Sequence, residues 1–158
     1  MNCTYLDSPA GMLTIVTDGD AVVNIHFGTG GQAPRLSGQA KAPVLHKVIE
    51  QLEEYFDGKR KTFDVPLALR GTPFQLSVWN ALREIGYGET RSYSEIARVI
   101  GRPAAVRAVG AANGANPIPI IIPCHRVIGS SGALTGFGGG LDVKRLLLDF
   151  EAGYSTLL

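Results

Sequence analysis

The hydrophobic pattern of this 158-residue chain changes period at Gly71, and that change limits the folds open to it. Before Gly71, apolar residues mostly alternate with polar ones, the pattern of strands with one buried face. Cys3-Tyr5, Met12-Leu13-Ile15 and Val22-Val23-Ile25-Phe27 are predicted strands of a meander, with turns at Ser8-Pro9-Ala10-Gly11 and Asp18-Gly19-Asp20. Residues 28–42 are rich in Gly and polar side chains and read as a loop. From Val44 the apolar positions (Val44, Leu45, Val48, Ile49, Leu52, Tyr55, Phe56) take helical spacing, and Gly58 ends the helix. Phe63–Leu67 reads as a returning strand, placed at an edge by Pro66. No chemically suggestive cluster falls in 1–70, which reads as an α/β scaffold domain.

After Gly71 helix signals take over, which sets a second domain at 71–158. Thr72-Pro73-Phe74-Gln75 is a capping box with Pro at the first helical position, and Phe74, Val78, Trp79, Leu82 and Ile85 form the buried stripe behind it. Ser92-Tyr93-Ser94-Glu95 opens a second helix that runs through Ile96, Ala97, Val99 and Ile100 to Gly101. Pro103 opens a third, from Ala104 to about Asn113, with Gly114 as its stop signal. Two short helices joined by Gly101-Arg102 have the length and turn of a helix-turn-helix. The third helix carries Ala104, Ala105, Ala108, Gly110, Ala111 and Ala112 with a single long side chain, Arg107. Such a surface allows close backbone approach, either to a neighbouring helix or to a partner.

Charge sharpens the division. The net charge of +1 conceals five arginines against one acid, Glu95, within 90–129. A chain 45% hydrophobic and 18% charged is neither disordered nor fibrous. Its two cysteines, Cys3 and Cys124, exclude a disulfide framework and a Cys-rich zinc site, and point to a reducing, cytoplasmic setting. The first ten residues lack the basic and apolar regions of a secretory signal. The longest apolar run, Pro117 to Cys124, is eight residues broken by prolines, too short to span a bilayer.

That run delivers Cys124-His125-Arg126 at its end. A thiol is a strong nucleophile, but with a free pKa of about 8.5 only a few per cent is thiolate at neutral pH, so it needs a base. In extended chain His125 and Cys124 point to opposite faces, and a bridging water is the economical route between them. The second imidazole nitrogen then needs an acceptor. Asp142, Asp149 and Glu151 are candidates, on a last helix with apolar positions Val143, Leu146, Leu147 and Phe150. Spacing alone leaves other readings open: an inert buried thiol, a structural histidine, and an Arg126 paired with a surface acid. Cys3 reads as structural, and His26 and His46 lack metal-ligand spacing, so neither a metal nor a cofactor is expected.

Pro123-Cys124-His125-Arg126-Val127-Ile128 resembles the active-site motif of the O6-alkylguanine-DNA alkyltransferases. Four further segments resemble that family in the same order: Gly71–Gln75, Gly86–Tyr93, Arg107–Gly114 and Leu134–Gly140. The resemblance is dense over 71–152, while 1–70 agrees with the family's variable N-terminal domain without identifying it. It implies a small ribonuclease H-like α/β domain followed by a mostly helical, winged helix-turn-helix-like domain for DNA binding and alkyl transfer. It implies direct reversal of damage: Cys124 takes the alkyl group from guanine O6 irreversibly, His125 deprotonates it through a water, and Glu151 orients His125. Asn116 matches an Asn that ties the turn before the active-site segment. Tyr93 matches a Tyr at guanine N3, Gly138 a backbone N–H near O6, and Cys124 and Val127 carbonyls that accept from the guanine amine. Arg107 matches an arginine finger that fills the stack after the nucleotide is flipped, on a helix that enters the minor groove with Ala108 and Ala111 on its contact surface. Arg91, Arg98 and Arg102 are candidate phosphate contacts, or solvated surface. Phe137 departs from the family's usual Tyr, keeping an aromatic wall for the alkyl pocket without the hydroxyl. The implied partner is double-stranded DNA containing O6-alkylguanine, bound by a monomer with no membrane or protein partner. Two rivals stand beside this reading. A non-catalytic, alkyltransferase-like lesion sensor would lack the motif Cys, and a Cys-His hydrolase would leave Arg107 and the helix-turn-helix unexplained.

Overall fold

The computed structural model describes residues 1–29 and 43–153; most of the expected 28–42 loop lies outside them. The chain forms two compact units that meet in sequence between Leu69 and Arg70.

In the first unit, β1 (Asn2–Ser8), β2 (Gly11–Asp18) and β3 (Ala21–Phe27) form an antiparallel meander in that order. Ser8 pairs with Gly11 and Asp18 with Ala21, so each expected turn closes with two residues between strands. Gly19 sits at φ +61° in the second turn, a conformation that favours glycine. The inward face of the sheet supplies Leu13, Ile15, Val22 and Ile25. Helix α1 (Pro43–Phe56) packs on all three strands, burying Val44, Leu45, Val48, Leu52 and Tyr55. The expected strand at Phe63–Leu67 is reduced to one parallel bridge between Val22 and Leu67. Val22 N–H donates to Pro66 O at 2.9 Å and Ala68 N–H donates to Val22 O at 2.9 Å. Pairing goes no further because Pro66 has no N–H, and the Gln51 amide takes both the N–H and the carbonyl of Asp64.

The second unit holds α2 (Pro73–Leu82), α3 (Tyr93–Val99), α4 (Val106–Gly114) and α5 (Leu141–Ala152), with a parallel pair of short strands, β4 (Arg91–Ser92) and β5 (Val127–Ile128). Both capping boxes form. Thr72 Oγ1 accepts from Gln75 N–H while the Gln75 side chain accepts from Thr72 N–H, and Ser92 and Glu95 repeat the exchange. Helix α4 starts at Val106 rather than Ala104, because Ala105 N–H donates to Arg102 O and puts Pro103 inside a turn. It runs through Gly114, and its last turn closes with Ala115 N–H on Ala111 O.

Helix α4 is fixed from behind. Val109, Ala112 and Asn113 are buried, and Trp79 Nε1–H of α2 donates to Ala112 O at 2.8 Å. Arg107, Ala108 and Ala111 face outward. The small residues therefore serve both readings the sequence left open: close packing on the inner face and an uncluttered outer one. Replacing Trp79 with Phe removes the indole donor and part of a buried ring. We expect a loss of about 1–3 kcal/mol in denaturant unfolding of the second unit; an unchanged midpoint would show that this link does not hold α4.

Candidate active site

Prolines set the approach to Cys124. Pro117, Pro119 and Pro123 offer no N–H to a sheet, and Ile118–Ile122 closes as a tight turn with Ile122 N–H on Ile118 O. Ile120 stands at φ +73°, a left-handed conformation that strains a β-branched residue by about 1–3 kcal/mol. Its side chain is buried in the same stretch as Ile118 and Ile122, which holds it there. Asn116 pins the turn at both ends: its Nδ2–H donates to Ile122 O at 2.8 Å and its Oδ1 accepts from Ile118 N–H at 3.0 Å.

Cys124–Arg126 is a 3-10 turn, not the extended segment expected from the sequence, closed by Val127 N–H on Cys124 O. Successive side chains of such a turn fan out by about a third of a revolution. His125 and Arg126 thereby converge on one carboxylate. Of the three acids proposed on the last helix, Glu151 is the one they reach. His125 Nε2 lies 2.8 Å from Glu151 Oε2, Arg126 Nε–H donates to Oε1 at 2.7 Å, and Arg126 Nη2–H donates to Oε2 at 3.0 Å. Gly88 N–H adds a longer contact to Oε1 at 3.3 Å, and Arg126 Nη1–H donates to Ile85 O at 2.7 Å. Arg126 is thus a buried clamp, not the partner of a surface acid.

The buried face of α5 is Lys144, Leu147 and Glu151. Of the expected apolar positions only Leu147 is fully covered, and Val143, Leu146 and Phe150 are half-buried. Lys144, which the sequence reading passed over, donates to Val127 O at 2.6 Å and to Thr135 O at 2.9 Å. Its signal was present: Lys144 and Glu151 lie seven residues apart, on one helix face with Leu147 between them. Asn113 was also missed; its Nδ2–H donates to Cys124 O at 3.3 Å. Tyr93 O–H donates to Thr135 O at 3.2 Å. The proposed substrate-side residues differ in exposure: Val127 is buried, Phe137 half-buried and Gly138 exposed. Arg98 and Arg102 are exposed, whereas Arg91 is half-buried, donates to Thr90 O at 2.8 Å and lies 3.8 Å from Glu89.

Electrostatics follow from burial. Burial pushes the Cys124 thiol up to about 11, against the opposing pull of Asn116, Lys144 and the backbone N–H groups of Cys124 and His125. Burial lowers the basicity of His125 despite Glu151 beside it. Burial alone would raise the Glu151 carboxyl, but hydrogen bonds and charge from His125 and Arg126 hold it well below the ordinary carboxylate range. Ionised Glu151 accepts only, so His125 Nε2 carries the hydrogen and Nδ1 carries the free lone pair. Nδ1 has no protein hydrogen-bond partner among the described residues.

Two predictions follow from this geometry. Glu151→Gln strands the Arg126 guanidinium in the interior and should lower unfolding stability by about 3–5 kcal/mol; a loss under 1 kcal/mol would contradict the clamp. The pH dependence has a definite sign. Glu151 and His125 bind protons less readily folded than unfolded, so their contributions are complete above 4.5 and 6.5 respectively and drain away as pH falls below those values. Cys124 is the reverse: its contribution is complete below 9.0 and is lost as pH rises towards 11. Stability should therefore fall on both sides of a plateau between 6.5 and 9.0, measured by denaturant midpoints across pH; Cys124→Ala should flatten the alkaline limb.

Comparison with known proteins places the chain. Residues 1–69 match the ribonuclease-like domain of 6-O-methylguanine DNA methyltransferase, and residues 73–153 match its DNA binding domain. A methylated-DNA–protein-cysteine methyltransferase of Mycolicibacterium paratuberculosis is 50% identical over 151 residues, 95% of this chain and 92% of that one. One from Methanosarcina acetivorans is 50% identical over 153 residues, 96% of this chain and 98% of its own. The crystal structure of Mycobacterium tuberculosis OGT in complex with DNA aligns with a TM-score of 0.89 at 47% identity, covering 99% of each chain. Matched in both halves and nearly end to end, this chain belongs to the 6-O-methylguanine DNA methyltransferase family.

Proposed function

We propose that this protein repairs DNA by direct reversal, moving an alkyl group from guanine O6 to the Cys124 sulfur. The observation that carries the reading is a buried thiol followed in the chain by an imidazole whose Nε2–H is committed to Glu151 and whose Nδ1 has no protein partner among the described residues. With a pKa of about 11, on the order of one thiol in ten thousand is ionised at neutral pH, so the thiolate has to be generated in place. His125 Nδ1 takes the proton through a bridging water. Glu151, clamped by Arg126, stabilises the resulting imidazolium without accepting the proton itself.

Sulfur then attacks the alkyl carbon in line as the bond from carbon to O6 breaks, and the electron pair passes to the purine. Tyr93 supports that charge at guanine N3, and the Gly138 N–H supports it near O6. The Val127 carbonyl, with one lone pair on Lys144, offers the other to the guanine amine. The Cys124 carbonyl already accepts from Asn113 and Val127 N–H, which leaves Val127 the better acceptor. Phe137 supplies an aromatic wall to the alkyl pocket. The product is a thioether, a C–S bond that thiol exchange and water do not readily cleave, so each molecule acts once.

The substrate is double-stranded DNA, because the outward face of α4 carries Arg107 between small residues, with Ala108 and Ala111 able to lie against a groove floor. The reacting carbon is inaccessible in a stacked duplex, so the nucleotide is flipped and Arg107 fills its place. Arg98 and Arg102 are free to meet phosphates, while Arg91 first has to leave Glu89. The protein acts as a monomer in the cytoplasm, with no cofactor. Asn116 fixes the turn that presents Cys124 and also favours its thiolate.

Duplex DNA with labelled O6-methylguanine should transfer label at no more than one equivalent per protein, and Cys124→Ala should transfer none; repeated turnover would overturn the reading. Arg107→Ala should slow repair of duplex DNA at least tenfold more than reaction with the free base. Equal losses on both substrates would remove the flipping role.

A further inference from the structure

Tyr93 is not a lone phenol. Its O–H donates to Thr135 O at 3.2 Å, and the Thr135 hydroxyl donates back to the Tyr93 oxygen at 3.2 Å. The Thr135 carbonyl is held from its other side by buried Lys144, Nζ to O 2.9 Å. The same ammonium reaches Val127 O at 2.6 Å and lies 5.9 Å from the centre of the Tyr93 ring. Thr135 thus meets the proton-donating side of the base site with both its backbone and its side chain, on a loop that no sequence signal connected to Tyr93.

We propose that Thr135 is a positioning residue for the leaving-group proton, a reading that rests on Tyr93 acting at guanine N3. In the resting protein the Tyr93 hydrogen points to Thr135 O. When a guanine enters, that hydrogen turns to N3, and two features make the exchange cheap. The Thr135 carbonyl keeps its bond to Lys144, so it is not left without a donor. The Thr135 Oγ1–H stays on the Tyr93 oxygen and forms a chain in which each hydrogen bond polarises the next: Thr135 Oγ1–H to Tyr93 Oη–H to N3. As sulfur bonds to the alkyl carbon and the carbon–O6 bond breaks, the electron pair enters the purine and raises electron density at N3. The chain strengthens at that moment, with Lys144 opposing any negative charge left on the phenol.

The test is a double-mutant cycle in single-turnover alkyl transfer with O6-methylguanine DNA. Thr135→Val keeps the shape and the backbone carbonyl but removes the donor. It should slow transfer about three- to tenfold, Thr135→Ser should restore the rate, and Thr135→Val should add nothing to Tyr93→Phe. The deficit should also shrink when the purine carries an electron-withdrawing substituent and leaves more easily, which a merely structural role would not produce. Thr135→Val at the wild-type rate, or an equal deficit with and without the Tyr93 hydroxyl, overturns the inference while Tyr93→Phe remains slow. Tyr93→Phe at the wild-type rate overturns the role of Tyr93 and this inference with it.

Discussion

One buried carboxylate organises the second unit. Glu151 receives both faces of the Arg126 fork, the His125 ring and the Gly88 amide. Through these groups it joins α5, the 3-10 turn and the loop before β4, and the third donor of Arg126 reaches back to Ile85 beyond α2. An ion pair of this kind is weak evidence for net stability, since taking both charges out of water offsets much of their attraction. Its value is positional. The carboxylate fixes which imidazole nitrogen carries hydrogen, and therefore which one keeps a free lone pair.

The same arrangement explains why a thiol with raised pKa suits this chemistry. A thiolate stable in the resting protein would be open to adventitious oxidation or alkylation. A buried, protonated thiol is shielded from both. The network around it is anchored on groups that do not titrate near neutrality: the Asn116 and Asn113 amides, and backbone carbonyls of Ile122, Cys124 and Val127. The left-handed Ile120 belongs to this pattern, a strained residue inside the turn that leads to Cys124.

Much of the fold was legible because the signals were local. Capping boxes at Thr72 and Ser92 are written in four residues each, and a two-residue turn declares itself by its Gly and Asp. The motif around Cys124 carried the family; in the fold Glu151 lies 2.8 Å from His125 Nε2, and the Asn116 amide donates to Ile122 O in the turn before Cys124. What failed depended on contacts distant in sequence. Phe63–Leu67 alternates like a strand, yet Gln51, on another element, claims the backbone of Asp64. Cys124–Arg126 reads as extended because its neighbours are β-branched, but Pro123 and the parallel β4–β5 pair leave room only for a tight turn. Lys144 shares a helix face with Glu151, but a lysine on an amphipathic helix is ordinarily solvated, so its spacing did not mark it as buried; the carbonyls of Val127 and Thr135 make that burial tolerable.

The central claim is that Cys124, rather than the equally buried Cys3, is the chain's reagent. Peptide mass mapping after incubation with duplex DNA containing O6-methylguanine tests it most directly. The account predicts one added methyl group on the peptide that contains Cys124, complete at stoichiometric DNA, with the Cys3 peptide unchanged. A methyl group on Cys3, or demethylated DNA with both cysteines unmodified, would contradict it.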